Sequence, residues 1–157
     1  MQIHYLKGDA TVPQAKGAKI IAHICNDLGG WGKGFVLAIS NRWKEPEADY
    51  RKWHKGRDGF ELGAVHFVQV ERTVCIANMI GQHGMKSGSK GPPIRYEAVE
   101  SCLEKVAAKA KELGASVHMP RIGCGLAGGK WEEIEPIIER TLIAYRIDVY
   151  VYDYDAK

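Results

Sequence analysis

The chain has 157 residues, 45% of them hydrophobic and 26% charged, which fits a single domain over residues 1–157 with a sizeable core. Its formal net charge of +3 suits a small anionic ligand but is too weak to argue for binding of duplex nucleic acid. No apolar run approaches the roughly 18 residues that a membrane-spanning helix needs, and the N-terminus lacks the pattern of a signal peptide.

The N-terminal part of the chain predicts two strands that end in polar residues. Residues 3–6 form a short predicted strand that Gly8 ends, and Asp9 is a good cap or turn residue. Residues 19–25 are almost continuously apolar, which is typical of a strand buried on both faces. This second strand ends at Asn26.

A glycine-rich loop at residues 29–34 follows the second strand and opens a largely buried helix that continues to Trp43. A second short helix is predicted after Pro46. Residues 63–70 and 73–80 then predict two strands, and the tight turn between them makes this segment a hairpin.

A long loop rich in Gly, Ser and Lys follows at residues 81–93, and loops of this length are usually functional or mobile. Apolar residues at helical spacing predict a helix over residues 96–113, with Gly114 as its C-cap. Residues 115–119 predict a strand that leads into a second glycine loop.

The last predicted elements are a helix after Trp131 and a strand at residues 146–152. Proline cannot lie deep inside a helix, so we expect a tight turn at residues 131–134, with Pro136 near the true first helical position. The whole order predicts an α/β fold of three layers, with a mixed, mostly parallel sheet of about six strands.

Two glycine loops leave the carboxyl ends of predicted strands, which is where such sheets bind ligands. The second loop has four glycines within residues 123–129 and no carboxylate until Glu132. Glycine lets backbone N–H groups approach a ligand closely, and the helix that follows adds a positive dipole end. The second loop therefore predicts an anion site, most simply for phosphate.

Several of these stretches resemble the macrodomain, a module that binds ADP-ribose, over nearly the whole chain. The resemblance rests on Lys7-Gly8-Asp9, on His23-Ile24-Cys25-Asn26 with Gly32-Lys33-Gly34, and on Pro120-Arg121-Ile122-Gly123-Cys124-Gly125-Leu126 before Trp131. The pattern is similar to the branch that includes terminal ADP-ribose glutamate hydrolases, antitoxins that remove ADP-ribose from DNA, and ADP-ribose 1″-phosphate phosphatases. It implies binding of ADP-ribose or a derivative and its hydrolysis, with a non-catalytic reader module as the alternative.

The resemblance also implies site residues. Asp9 would accept a hydrogen bond from the adenine amino group, because a carboxylate is acceptor-only, although a cap or turn role is the alternative. Asn26 would bind the distal ribose or serve as a turn residue, and Tyr152 would pack on adenine in competition with Tyr150 and Tyr154. The implied ligand-binding set is Asp9, Asn26, Gly30, Trp31, Gly32, Lys33, Gly34, Arg121, Ile122, Gly123, Cys124, Gly125, Leu126, Ala127, Gly128 and Tyr152.

The catalytic groups of the related hydrolases are missing at the positions that match. Those enzymes use a lysine just after the fourth strand and an aspartate after Gly-Cys-Gly-Leu, where this chain has the segment Asn78-Met79-Ile80 and Ala127. A lysine nucleophile would have to be Lys86 or Lys90, from a loop that would position it poorly.

Other candidates for the chemistry remain. His23, Asn26 and His83 are the candidate catalytic residues, although His23 lies in mid-strand, where a satisfied core role is the alternative. Cys124 lies beside the phosphate-binding amides, which would lower its pKa, or it is a small buried filler.

The cysteines and histidines predict neither a disulfide framework nor a metal site, because their spacing fits neither. We therefore expect reduced thiols, a cytoplasmic protein and no cofactor. The expected partner is ADP-ribose or an ADP-ribosylated substrate, with nucleic acid only as an ADP-ribosylated target, no membrane, and a monomeric protein.

Overall fold

The computed structural model describes residues 2–84 and 91–154, and a twisted sheet forms its centre. Within these residues the strands are β1 (His4–Lys7), β2 (Lys19–Asn26), β3 (Val65–Glu71), β4 (Val74–Gln82), β5 (Ser116–Met119) and β6 (Val149–Asp153). They pair in the order β1-β6-β5-β2-β4-β3. Neighbouring strands run parallel except for the β3–β4 hairpin, so the predicted mixed, mostly parallel sheet is confirmed.

Helices cover both faces of the sheet, which makes the three predicted layers. They are α1 (Phe35–Arg42), α2 (Glu45–Gly56), α3 (Tyr96–Leu113) and α4 (Trp131–Thr141), with 3-10 turns at Gly125–Ala127 and Ile143–Tyr145. No helix of the described residues is long and apolar enough to cross a membrane.

Successive residues of the central strands point to opposite faces, and each face has its own core. On β2, Ile20 packs toward α3 and α4, whereas Ile21 packs toward α1 and α2, and both side chains are fully buried. This is why the second strand reads as continuously apolar in the sequence. The two cores fix the strand ends that carry the site.

Several predicted boundaries change in the structure. The tight turn predicted at 131–134 is wrong, because α4 begins at Trp131 and contains Pro136. Pro136 lies on the exposed face of α4, where the carbonyl that loses its intrahelical partner can bond to water. Strand β6 begins at Val149 rather than at residue 146, since Arg146 closes the preceding 3-10 turn with φ +61°. Strand β4 runs to Gln82, beyond the predicted end at residue 80.

Candidate functional site

A cavity of about 730 Å³ opens at the carboxyl ends of the parallel strands, where α/β sheets bind ligands. Its walls come from the loop after β1, one face along the whole of α1, the residue that follows β5 and the end of β6. Three of the predicted ligand-binding residues, Asp9, Gly34 and Tyr152, lie together here. The full lining is Asp9, Ala10, Gly34, Phe35, Ala38, Asn41, Arg42, Pro120, Tyr152 and Tyr154.

Asp9 is both a turn residue and part of the cavity wall. Its Oδ1 accepts hydrogen bonds from the backbone N–H of Thr11 at 2.8 Å and from the Thr11 hydroxyl at 2.7 Å. The Thr11 hydroxyl in turn accepts a bond from Arg42 Nε at 2.7 Å. Because both bonds from Thr11 use Oδ1, the carboxylate is held in one orientation while Oδ2 keeps its capacity to accept a bond from a ligand.

Tyr152 is a fixed part of the cavity, because its hydroxyl is tied into a buried chain of hydrogen bonds. The hydroxyl accepts from the Gln14 N–H at 2.7 Å and lies 2.8 Å from Nδ1 of His118, whose Nε2 is 2.8 Å from Ser116 Oγ. Burial lowers the pKa of His118 to about 4, so this ring is neutral at pH 7 and its Nδ1 can accept a hydrogen bond from the Tyr152 hydroxyl. Of the two competing tyrosines, only Tyr154 also lines the cavity.

The predicted phosphate loop closes on itself after β5. The Gly129 N–H donates to Gly123 O at 2.7 Å, and the Gly128 N–H donates to Gly125 O at 2.9 Å. Gly123 has φ +74°, and a Cβ there would lie 2.7 Å from Ile94 Cδ1, so this position requires glycine. The 3-10 turn Gly125–Ala127 leaves the N–H groups of its first residues without an intrahelical acceptor, as a diphosphate cradle needs. This loop adjoins the cavity through Pro120 but does not itself line it.

Side chains of the same segment anchor the loop. Arg121 forms two hydrogen bonds to Asp153, at 2.8 and 3.0 Å, and its guanidinium lies 5.0 Å from the ring centroids of both Tyr5 and Trp131. Ile122 is buried at 2% exposure. The other members of the predicted set in this loop contribute backbone, and the Leu126 side chain lies outside the described residues.

Cys124 and Ala127 offer no ionised side chain to the loop. Burial raises the pKa of the Cys124 thiol, so the lowered pKa expected from its position beside the amides is wrong. Ala127 is 5% exposed, and its carbonyl accepts a bond from the Ile94 N–H at 3.0 Å. The loop thus has backbone donors and no carboxylate.

The loop after β2 is shaped by Asn26. Its Nδ2 donates to Gly30 O at 3.0 Å, while its Oδ1 accepts from the N–H groups of Leu28 and Gly30 and from the Tyr50 hydroxyl. The side chain is therefore engaged as a turn residue. Trp31 is also buried, with Nε1 bonded to Ser40, so the exposed members of the predicted ligand-binding set in this loop are Gly32, Lys33 and Gly34.

His23 lies in the core of the protein rather than in the cavity. Its ring is 1% exposed, with Nε2 at 2.5 Å from Asn78 Oδ1 and its edge against Trp31. Burial lowers its pKa to about 4, and its Nδ1 has no partner among the described residues. The geometry matches the core interpretation of this histidine.

His83 stands at the end of the fourth strand, where the sequence analysis placed other residues. The segment Asn78-Met79-Ile80 lies buried inside β4, so its assignment to the position after the strand is wrong, and His83 follows Gln82 directly. His83 Nδ1 lies 2.6 Å from Asp27 Oδ2, and the Gly84 N–H donates to Asp27 Oδ1 at 2.8 Å. Lys86 and Lys90 lie outside the described residues.

Sequence reasoning missed Asp27 and one face of α1 at this edge. Asp27 follows Asn26 at a strand end, and that position alone could have drawn attention to it. Phe35, Ala38, Asn41 and Arg42 occupy helical spacings i, i+3, i+6 and i+7, a periodicity that could have identified the face that α1 turns to the cavity.

The chain is similar to known proteins over most of its length. The model of the Macro domain family matches residues 22–138. A solved macrodomain protein from Streptomyces coelicolor is 58% identical and superposes with a TM-score of 0.89, covering 98% of this chain and 100% of that one.

Curated relatives include the chromodomain-helicase-DNA-binding protein 1-like of Mus musculus, 32% identical over 96% of this chain. This chain spans only 17% of that relative's length. An ADP-ribose 1″-phosphate phosphatase of Lodderomyces elongisporus is 24% identical over 98% of this chain and 100% of its own length.

Proposed function

Because the chain belongs to the Macro domain family, we propose that it binds ADP-ribose or an ADP-ribosyl derivative at the carboxyl edge of its sheet. The observation that carries this proposal is the cavity in which the oriented carboxylate of Asp9 stands beside the fixed ring of Tyr152. An acceptor-only group at the end of an aromatic-walled cavity suits an adenine with its exocyclic amino group. The 1″-phosphate phosphatase among the relatives supports the choice of ligand.

The remainder of the ligand follows the strand ends away from β1. The 3-10 turn Gly125–Ala127 supplies backbone N–H groups for a diphosphate, which needs no cationic side chain. The exposed glycines Gly32 and Gly34 let the backbone approach the distal ribose. Arg121 contributes indirectly, since its contacts with Asp153 hold the start of the phosphate loop.

We further propose that the bound derivative is hydrolysed at the distal ribose, as ADP-ribose 1″-phosphate or as an ADP-ribosyl ester. The alternative is a reader module that binds without turnover. Ala127 favours that alternative, because it is buried where related hydrolases carry an aspartate. Incubation with ADP-ribose 1″-phosphate and with a peptide ADP-ribosylated on glutamate decides between them: release of phosphate or of ADP-ribose supports hydrolysis, and binding without release supports the reader.

Titration calorimetry with ADP-ribose tests the binding itself. The variant Asp9→Asn keeps Oδ1 for Thr11 but replaces the second acceptor with a donor that faces the adenine amino group. We expect the affinity to fall by about tenfold to 100-fold, since a hydrogen bond to a charged group contributes roughly 1.5–3 kcal/mol. Asp148→Asn, at an exposed position away from the cavity, is the matched control. Absence of heat with the unaltered protein contradicts the proposal.

We also propose that residues 1–157 act as one macrodomain, monomeric and cytoplasmic. The four free cysteines, three of them buried, support a reducing compartment. Light scattering on the purified chain should give a mass of about 17.4 kDa. A mass of twice that value contradicts the monomer.

A further inference from the structure

An imidazole and a carboxylate meet at the ends of the neighbouring strands β2 and β4, outside the cavity that would take the adenosine. Asp27 and His83 come from the loops after β2 and β4, which pair at Asn26 and Gln82. The Asp27 N–H donates to Gln82 O at 3.0 Å, so the backbone holds the two loops together. The pair is therefore positioned by the sheet and not only by its own contact.

The contacts of Asp27 fix the tautomer of His83. Asp27 Oδ2 lies 2.6 Å from Nδ1, so the carboxylate accepts a hydrogen bond from Nδ1–H, and its other oxygen accepts one from the Gly84 N–H. The neutral ring then carries its lone pair on Nε2. The His83 side chain is 58% exposed, whereas that of Asp27 is 19% exposed. The arrangement is an oriented base that a ligand can reach.

The location fits the reacting end of the proposed ligand. Strands in a sheet are about 4.8 Å apart, so β4 lies roughly 19 Å from β1, on which the Asp9 loop depends. A ligand with two ribose units can extend over this distance, and a mononucleotide cannot. The loop that begins at Asp27 also contains Gly32 and Gly34, which we propose to contact the distal ribose.

We propose that His83 is the general base of the hydrolysis and that Asp27 is its positioning residue, an inference that rests on the proposed hydrolytic function. His83 Nε2 accepts a proton from water as the water oxygen forms a bond to C1″ of the distal ribose. The bond from C1″ to the leaving oxygen breaks, and its electron pair stays on the departing carboxylate or phosphate. The imidazolium then returns its proton to solvent, so the net reaction is hydrolysis.

This chemistry limits the substrate class. C1″ is the electrophile common to the carboxylic ester and the phosphate, because the ring oxygen stabilises positive charge there. Both leaving groups depart as stable anions and need no proton. His83 is engaged with the attacking water and does not protonate the leaving group, so ADP-ribose linked through nitrogen, as on arginine, whose leaving group is a much stronger base, should not be a substrate.

Steady-state kinetics on ADP-ribose 1″-phosphate and on the glutamate-linked peptide test the role of His83. We expect His83→Gln to lower kcat by about 100-fold or more, the usual contribution of a general base, with KM and ADP-ribose affinity within about twofold. Added imidazole should restore part of kcat to His83→Ala. The matched control is His66→Gln, since His66, near the start of β3, pairs with Asp49 of α2 at 2.9 Å. Unchanged kcat in His83→Gln overturns the inference while leaving the proposed function intact.

The variant Asp27→Asn separates positioning from loop structure, because asparagine keeps an oxygen for the Gly84 N–H. We expect kcat to fall at least tenfold at unchanged KM, with no rescue by imidazole, and Asp49→Asn to keep its activity. A rise in KM with kcat unchanged would assign Asp27 to loop structure alone and overturn its positioning role.

Isotope labelling tests the bond that breaks. In water enriched in ¹⁸O, attack at C1″ should release phosphate without label, and labelled phosphate contradicts attack at this carbon. If the unaltered protein binds ADP-ribose but releases product from neither substrate, the hydrolytic function fails and this inference fails with it.

Discussion

Arg121 belongs to the motif that we propose to bind the ligand, and its side chain makes structural contacts. Its guanidinium donates to both oxygens of Asp153 and lies 5.0 Å from the ring centroids of both Tyr5 and Trp131, so β1, β6 and α4 meet at one side chain. Guanidinium suits this position because it is planar and can pair bidentately while it stacks. The motif thus includes a residue whose side-chain contacts hold the loop.

Replacement of Arg121 should therefore affect stability first. We expect Arg121→Ala to lower the free energy of unfolding by about 1 kcal/mol. An exposed ion pair and an exposed cation–π contact each contribute at most about this amount. Thermal unfolding should show a decrease of a few degrees. Arg121→Lys should recover only part of the loss, because an ammonium cannot form the fork. A variant Arg121→Ala with unaltered melting temperature but lost ADP-ribose binding would instead indicate direct ligand contact.

Among individual residues, the sequence identified those that lie within motifs and missed those whose role depends on a side-chain contact between two loops. Asp9 and Tyr152 follow from the motif and from strand ends, and both line the cavity. His83 was named without its partner, because Asp27 is 56 positions away and no local pattern links them. The residues predicted to follow β4 began at Asn78, whereas His83 follows it, because an apolar run in the sequence does not show where a strand ends.

Glycine loops act at the scale of elements, and Gly123 determines the shape of the second one. Gly123→Ala would place a Cβ at 2.7 Å from Ile94 Cδ1 in a backbone conformation that favours glycine. Gly59→Ala is a matched control, since Gly59 has φ +70° and nothing within 4 Å of its Cβ position. Both variants should lose about 1–2 kcal/mol of stability through backbone strain. Calorimetry should show at least a tenfold loss of ADP-ribose affinity in Gly123→Ala only; equal affinities would contradict a loop that binds diphosphate through its backbone.

Helix α4 carries a second prediction at this scale, because it contains Pro136. Pro136→Ala restores an N–H donor for the carbonyl four residues earlier and removes a poor helix former. We expect the variant to gain about 1–2 kcal/mol of stability, with part of the helix gain offset by the more flexible unfolded chain. Thermal unfolding measures the gain, with Glu139→Ala on the same exposed face as control. A lower melting temperature would show that the proline fits this helix.

At the scale of the whole molecule, two buried histidines link stability to pH. Burial lowers the pKa of His23 and of His118 to about 4, below the value of about 6.5 in an unfolded chain. The unfolded state therefore binds more protons between pH 6.5 and pH 4, and stability is lost as the pH falls through this window. Each histidine should lower the free energy of unfolding by roughly 2 kcal/mol by pH 5.

Thermal unfolding at pH 7.5 and pH 5.0 checks this expectation. His118→Gln should flatten the dependence. Equal melting temperatures at the two pH values would contradict neutral burial of these rings.

The fold as a whole could be predicted from the sequence because its strand, helix and turn patterns agree with one another. Apolar runs marked the buried parallel strands, and helical spacing with Gly114 as a C-cap marked α3, where the glycine has φ +63°. Strand order could not follow from such local signals, since β1 pairs with β6 from the opposite end of the chain. The cavity depends on that pairing, which is why only part of its lining was named beforehand.

The central claim is that ADP-ribose lies along the carboxyl edge from the β1 loop to the β4 loop. Backbone amide shifts in ¹⁵N spectra, measured during titration with ADP-ribose, test it most directly. We expect the shifts to concentrate at Ala10, Gly32–Phe35, Gly125–Ala127 and Gly84, with Lys16, Lys111 and Arg146 at the opposite end unchanged. Shifts confined to that opposite end, or no shifts at saturating ligand, would contradict the account.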